Sequence, residues 1–293
     1  SRFGELTEMR DEKMRGKDNQ WVRPHPGPFV WNKILKIWQN YRAQEKKKHA
    51  LNGYLEPFCG SLGVFKHMTD LDSDGAKTIV ANDYHPDLIE MWKEVQAGNF
   101  EFPSSISEEE FLAAKQLESP NALKAFVGFG MSFGGRFFGA YSQKYLGEKK
   151  EDFCKEMVNS LKRTTPLIQK ENVTFTNKEY QSLKPKGKFI YCDPPYKQTK
   201  YPIKYRRDTK YYDEFDNDEF WDIMRKWSKN NLVVVSETDA PEDFIEIWNM
   251  ERYRSAAQST KTRYSEKSEK PSETRKIEKL FIHKSRVNEV GEL

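Results

Sequence analysis

Asp193-Pro194-Pro195-Tyr196 follows an apolar run, Phe189-Ile190-Tyr191-Cys192, that reads as a strand. A carboxylate, a rigid double proline and an aromatic ring therefore stand at the mouth of that strand. Such a set suits chemistry on the amino group of a flat base. The carboxylate accepts a hydrogen bond from the amine. Proline fixes its own φ and has no N–H to give, so nearby carbonyls stay available as acceptors. The ring offers a face for stacking. Alone, an Asp-Pro-Pro is more often a proline turn that ends a strand.

A second segment changes that balance. Tyr54 to Phe65 reads as a short strand, a small-residue turn with Gly60 and Gly63, then a helix. Glycines let backbone approach a ligand closely, and a helix start supplies free N–H groups. Twenty residues past Gly63, Asp83 closes the run Thr78-Ile79-Val80-Ala81-Asn82. An acid at the end of a second strand can hold a ribose diol, by the logic of nucleotide-binding βαβ units. For Glu56 and Asp83 the competing reading is helix or turn capping.

These three blocks resemble the Dam-type (D12 class) family of S-adenosylmethionine-dependent DNA adenine-N6 methyltransferases. Glu56-Pro57-Phe58-Cys59-Gly60-Ser61 is similar to its cofactor loop. Asn82 to Ile89 is similar to the segment after its second strand, and Asp193 to Tyr196 matches its catalytic motif letter for letter. The resemblance spans roughly residues 28–284 and is loose between the blocks. Two departures stand out. Leu62 fills a position that is commonly glycine, with Gly63 one residue later as a possible substitute. The family's glycine-rich, lysine-ending segment is represented only by Trp31-Asn32-Lys33.

An adenine amine is a poor nucleophile because its lone pair is delocalised into the ring. Two acceptors pulling on its two N–H bonds would localise that pair. Asp193 and the Pro194 carbonyl are the candidates, acting mainly in the transition state. Pro195 completes the turn and Tyr196 would stack on a base that has left the duplex. For the cofactor, Gly60 and Gly63 would allow close approach of the methionine portion, with Phe58 beside it. Glu56 could accept from its amino group, and Asp83 from the ribose hydroxyls. The resemblance adds Lys33, Trp31 and Asp193 as cofactor contacts. It also adds Glu179, near the cofactor adenine, which reads equally well as surface charge.

Nucleic acid would fall to Ser132, Phe133, Arg136, Phe137 and Tyr141, in a stretch crowded with glycines and aromatics. Arg136 could reach a phosphate or a guanine edge, and an aromatic could fill the gap of a flipped base. Phe129, Phe133 and Phe137, four apart, read equally as a core stripe. The basic runs Lys204 to Lys210 and Lys261 to Lys267 offer phosphate contacts, although such runs are usually just solvated.

Positioning these groups needs a sheet with its connections on both faces. Alternating β and α patterns at 54–99 and 171–284 predict an α/β, Rossmann-like methyltransferase sheet. The resemblance implies that it is mostly parallel, with an antiparallel last strand. Residues 100–170 break the alternation and are expected as an inserted helical target recognition domain, opened by the capped start Ser107-Glu108-Glu109-Glu110. A catalytic domain would then comprise 28–99 and 171–284. Residues 1–27 read as a flexible arm, 254–276 as a long loop and 285–293 as a disordered tail.

Composition sets wider bounds. A formal charge of +4 over 293 residues is a mild bias. Mean hydropathy is −0.89 and no apolar run approaches the length of a membrane span. Three distant cysteines suit a reducing compartment better than a disulfide framework. The five histidines show no metal spacing. The expectation is an intracellular, cytoplasmic enzyme using S-adenosylmethionine without metal on double-stranded DNA, as a monomer or homodimer, with or without a paired restriction enzyme. The alternatives are an adenine methyltransferase acting on RNA and a non-catalytic nucleic-acid-binding subunit that keeps the fold. Cytosine-N4 and glutamine relatives usually carry Ser or Asn where Asp193 stands.

Overall fold

A computed structural model describes residues 30–44, 51–71, 75–132, 137–141, 145–146, 149–150, 152–195, 215–253 and 275–293. Its centre is a seven-stranded sheet. The strands are β1 (Gly53–Glu56), β2 (Thr78–Asn82), β3 (Val173–Thr176), β4 (Lys188–Cys192), β5 (Leu232–Glu237), β6 (Phe244–Tyr253) and β7 (Arg275–His283). Their spatial order is β3-β2-β1-β4-β5-β7-β6. β1 to β5 run parallel, and β7 pairs antiparallel with both β5 and β6. The methyltransferase-type sheet implied by the resemblance, antiparallel last strand included, is what forms.

Both sheet faces are covered, so the strands are apolar on both sides. One face carries Tyr54, Ile79, Ala81, Phe189, Tyr191 and Val234, and packs under α1 (Val30–Ala43) through Val30, Ile34, Ile37 and Trp38. The other carries Leu55, Ile190, Cys192, Val233 and Val235 under α6 (Asn217–Ser228), with Phe220, Trp221, Met224 and Trp227. α2 (Pro86–Ala97) shows why a helix starts and stops where it does. His85 caps it, Pro86 opens it, and Gly98 ends it at φ 74°, where a side chain would be strained.

The segment between β2 and β3 holds α3 (Glu108–Lys115), α4 (Ala122–Gly130) and α5 (Phe153–Ile168). The expected capping box is present: the Ser107 hydroxyl accepts from the Glu110 N–H at 3.1 Å, and the Glu110 carboxylate accepts from the Ser107 N–H at 2.7 Å. Phe111, Phe126, Phe129 and Met157 of this insertion join the same buried cluster as Tyr54 and Phe189. Sheet and insertion thus share one continuous core.

Four sequence expectations need correction. The helix foreseen after the glycine turn is a single 3-10 turn, Phe65–His67. The turn-forming cluster Asp70-Leu71-Asp72-Ser73-Asp74-Gly75 follows too soon for more. Phe244–Tyr253 forms the long edge strand β6, and β7 begins at Arg275, inside the expected 254–276 loop. The tail at 285–293 is not disordered. Lys284–Glu289 forms a 3-10 helix and Val290 is buried. Asn40 Nδ2 donates to the Val290 and Glu292 carbonyls at 2.9 Å each, and Arg286 donates to the Ser228 and Lys229 carbonyls, also at 2.9 Å each. Partners 58 or 250 residues away leave no local signature. Gly63, finally, does not substitute for a glycine at 62: Leu62 itself sits at φ 64°.

Leu62 therefore sets two effects against each other. A left-handed non-glycine residue costs about 1–2 kcal/mol. Removing a fully buried leucine costs about 2–5 kcal/mol, and the Leu62 side chain has no exposed surface. Burial wins, so Leu62→Gly is expected to lower stability by about 2 kcal/mol in denaturant unfolding. A stabilised variant would show that backbone strain dominates.

Candidate active site

The register places the two key acids. Val80, Leu55 and Ile190 lie side by side on β2, β1 and β4. Asp83 and Asp193 each stand three residues beyond that row. They are at the same level, at the carboxyl end of the sheet, flanking β1. Two strand spacings separate their strands, about 10 Å. The two-residue alternation that puts Tyr54, Ala81 and Tyr191 on the α1 face continues to Glu56, Asp83 and Asp193. Three carboxylates at the ends of adjacent strands thus share one side of the sheet's carboxyl edge.

Asp83 is held rigidly. Its Oδ2 accepts from the Gly60 N–H and its Oδ1 from the His85 N–H, both at 3.0 Å. The Gly60 carbonyl accepts from Trp92 Nε1 at 2.9 Å, and the Cys59 N–H donates to the Asn82 carbonyl at 2.8 Å. Gly60 takes φ 47°, as a turn bent this sharply requires. Asn82 Nδ2 reaches the Pro57 and Lys178 carbonyls, and Asn177 Nδ2 reaches those of Asp83 and Tyr84. The loops after β1, β2 and β3 are therefore stitched together by backbone and amide groups. Sequence reading missed His85, Asn82 and Asn177. Of these, only His85-Pro86 carried a signal, a cap followed by a first-turn proline.

Glu56 ends β1 between the two aspartates and is 3% exposed. Tyr54 OH donates to its Oε1 at 2.7 Å. Burial pushes the Glu56 carboxyl well above the ordinary carboxylate range. The neighbouring Asp193 carboxylate adds to that rise, and the Tyr54 bond opposes it. Burial, Glu56 and Asp193 likewise push the Cys192 thiol up.

This gives a sign for pH. Native Glu56 holds its proton more tightly than the unfolded chain does. Its contribution to stability is therefore present below the unfolded value near 4.3 and is lost as pH rises through the raised native value. Glu56→Gln removes that loss and keeps an acceptor for Tyr54. It is expected to melt higher at pH 8, by about 2–4 °C per kcal/mol relieved, with the gain gone near pH 4. Equal melting at both pH values would show that Glu56 ionises freely.

The remaining candidates divide. Phe58 is half-buried against Tyr180, Phe215 and Phe220, at centroid distances of 5.1, 6.0 and 6.1 Å, and walls one side of the β1 end. Exposed Glu179 precedes the 3-10 turn Tyr180–Ser182 after β3, on the far side of Asp83. Trp31 stacks on His67 at 4.3 Å, next to the glycine turn. Lys33 is half-buried on the opposite flank of α1's buried stripe. Pro194 is buried, Asp193 and Pro195 are half-buried, and Tyr196 lies outside the described residues.

In the insertion, Ser132 Oγ donates to the Gly128 carbonyl and Tyr141 OH to the Ile106 carbonyl, both at 2.6 Å. A single bridge pairs Ser132 with Tyr141. Phe137 packs on Phe129 at 4.8 Å. Phe133 and Arg136 lie outside the described residues, as do Lys204 to Lys210 and Lys261 to Lys267. Among the described residues, no cluster of His, Cys, Asp and Glu could hold a metal ion, and no helix is long and apolar enough to cross a membrane.

Residues 136–278, just under half of the chain, match the family model of D12 class N6 adenine-specific DNA methyltransferases. The match contains the Asp193 motif and shows for that stretch the resemblance read from the sequence. No curated protein sequence matches the chain. Among solved structures, the chain is similar to the rRNA methyltransferase aviRa from Streptomyces viridochromogenes. Identity is 11%, coverage is 92% of this chain and 90% of that one, and the TM-score is 0.36.

Proposed function

We propose that this chain transfers a methyl group from S-adenosylmethionine to the N6 amine of adenine in DNA, acting on a base turned out of the duplex. The observation that carries the reading is the level placement of Asp83 and Asp193 on either side of β1. Their strands lie about 10 Å apart, which supports a sugar-holding role for Asp83 beside an amine-polarising role for Asp193. The family match over residues 136–278 supports adenine and DNA as the target.

The donor set suits the cofactor, whose ammonium and sulfonium make it cationic. Asp83, Glu56 and the sharply bent Gly60 turn would hold its ribose, amino group and methionine portion in that order. When bound, it supplies an electrophilic methyl on sulfur. The chain's own work is on the amine. The Asp193 carboxylate accepts one N–H and the Pro194 carbonyl the other, which raises electron density on nitrogen and stabilises the positive charge it gains. Asp193 is also placed to take the proton that nitrogen sheds. Phe58 and its aromatic neighbours exclude water from one wall, which strengthens these contacts. Phe133 and Arg136 are proposed to meet the nucleic acid, and a DNA substrate implies an intracellular setting.

The test is incubation with methyl-labelled cofactor and, separately, DNA and RNA, followed by nucleoside mass spectrometry. Label in N6-methyldeoxyadenosine is expected. Label confined to RNA nucleosides, or found in deoxycytidine, would contradict the assignment.

A further inference from the structure

The start of α2 faces two parts of the molecule at once. Towards the cofactor loop, the His85 N–H holds Asp83 Oδ1 at 3.0 Å while Gly60 holds Oδ2 at the same distance. Towards the insertion, the His85 ring lies edge-on to Phe129 and Phe137, with centroids 5.0 and 4.4 Å away. Two residues on, buried Asp87 accepts from the Ser119 hydroxyl at 2.9 Å and the Asn121 N–H at 2.8 Å. Asn121 in turn caps α4. One short segment, 83–87, therefore joins the acid assigned to the ribose to the segment assigned to nucleic acid.

We propose that His85 is a positioning residue: the insertion, by gripping its ring, fixes the main chain that aims Asp83, so cofactor and nucleic-acid affinities are linked. The proposal rests on the reading given under Proposed function. The physical reason is that a buried aromatic ring fixes its own rotamer and, through it, the local backbone, in a densely packed interior that transmits displacement. Both oxygens of Asp83 answer to backbone N–H groups, one of them that of His85. A shift of Phe129 or Phe137 moves the ring, and the ring moves the N–H. Linkage makes the effect reciprocal. The protonation state agrees with this geometry. His85 Nδ1 accepts from the Leu88 N–H at 3.3 Å, which requires it to be unprotonated. Burial pushes the ring's pKa down; Asp83 and Asp87 oppose that shift and Lys124 adds to it.

Capping and ring packing can be separated. Asn is as good an N-cap as any residue, so His85→Asn keeps an acceptor for Leu88 while removing the ring. In ligand-free His85→Asn, amide exchange at Gly60 should speed up by at least about fivefold while that at Leu88 stays unchanged. Calorimetry with S-adenosylhomocysteine should show at least about fivefold weaker binding, the low end of typical coupling. The gain in that affinity on adding a mixed-sequence DNA duplex should shrink. Phe129→Leu should act in the same direction and be non-additive with His85→Asn. Gly60 exchange equal to that of the unaltered protein would overturn the tie, as would equal cofactor affinity. If the unaltered protein binds no S-adenosylhomocysteine, the functional reading fails, and Gly60 exchange still decides whether His85 positions Asp83.

Discussion

Asp193→Ala is expected to lower the rate of methyl transfer by about 10²–10³ or more, with cofactor affinity within about twofold of the unaltered protein. The size follows from removing one preorganised group that acts on charge developing in the transition state. The split follows from position. Asp193 stands past the end of β4, level with Asp83 but across β1 from it, so under the proposed function it would face the amine while Asp83 would face the sugar. Single-turnover rates and calorimetry check the two halves separately. Asp193→Asn sharpens the test, because its carbonyl can still accept one hydrogen bond but carries no charge to balance the nitrogen. A rate close to that of Asp193→Ala would identify the charge as the active feature. Loss of rate and cofactor binding together would mark Asp193 as part of the cofactor site.

Asp83→Ala is expected to weaken S-adenosylhomocysteine binding by about 10- to 100-fold. Hydrogen bonds to a charged group contribute about 1.5–3 kcal/mol, and each 1.4 kcal/mol is a factor of ten. The substitution also releases the Gly60 and His85 N–H groups from their shared acceptor, so the glycine turn should loosen as well. Asp83→Asn separates these effects, since it keeps one acceptor for the turn. An Asp83→Asn affinity between those of Asp83→Ala and the unaltered protein would assign part of the energy to turn geometry. Unchanged affinity in Asp83→Ala would remove the ribose role.

The acids proposed for catalysis and for the cofactor stand out in the sequence because each sits where a strand pattern stops. Val80 and Ile190 belong to apolar runs with β-branched residues, and Asp83 and Asp193 are the first charged groups after them. A mostly parallel sheet with an antiparallel last strand followed from the resemblance, and the observed pairings agree with it. Elements that depend on distant partners were not legible. The chain end at 285–293 is ordered by Asn40, Gln44 and the end of α6. β6 carries Glu246, Asn249 and Glu251 among its apolar residues, because it is an edge strand with one side towards solvent, and that dilutes the alternation. Leu62 stands where the resembled family commonly has glycine, and the sequence shows that much. That the chain keeps the left-handed turn there by burying the leucine follows only from packing. For Phe129 and Phe137 the core-stripe reading describes what is seen. Both rings close on His85 and on each other.

The central claim is spatial: one ligand lies across the end of β1, with its sugar at one aspartate and its reactive end at the other. A crystal structure with S-adenosylhomocysteine tests it most directly. The account expects both ribose hydroxyls within about 3 Å of the Asp83 carboxylate, the amino group beside Glu56 and the sulfur turned towards Asp193. Electron density placing the ligand elsewhere, or reversed so that its adenine faces Asp193, would contradict it.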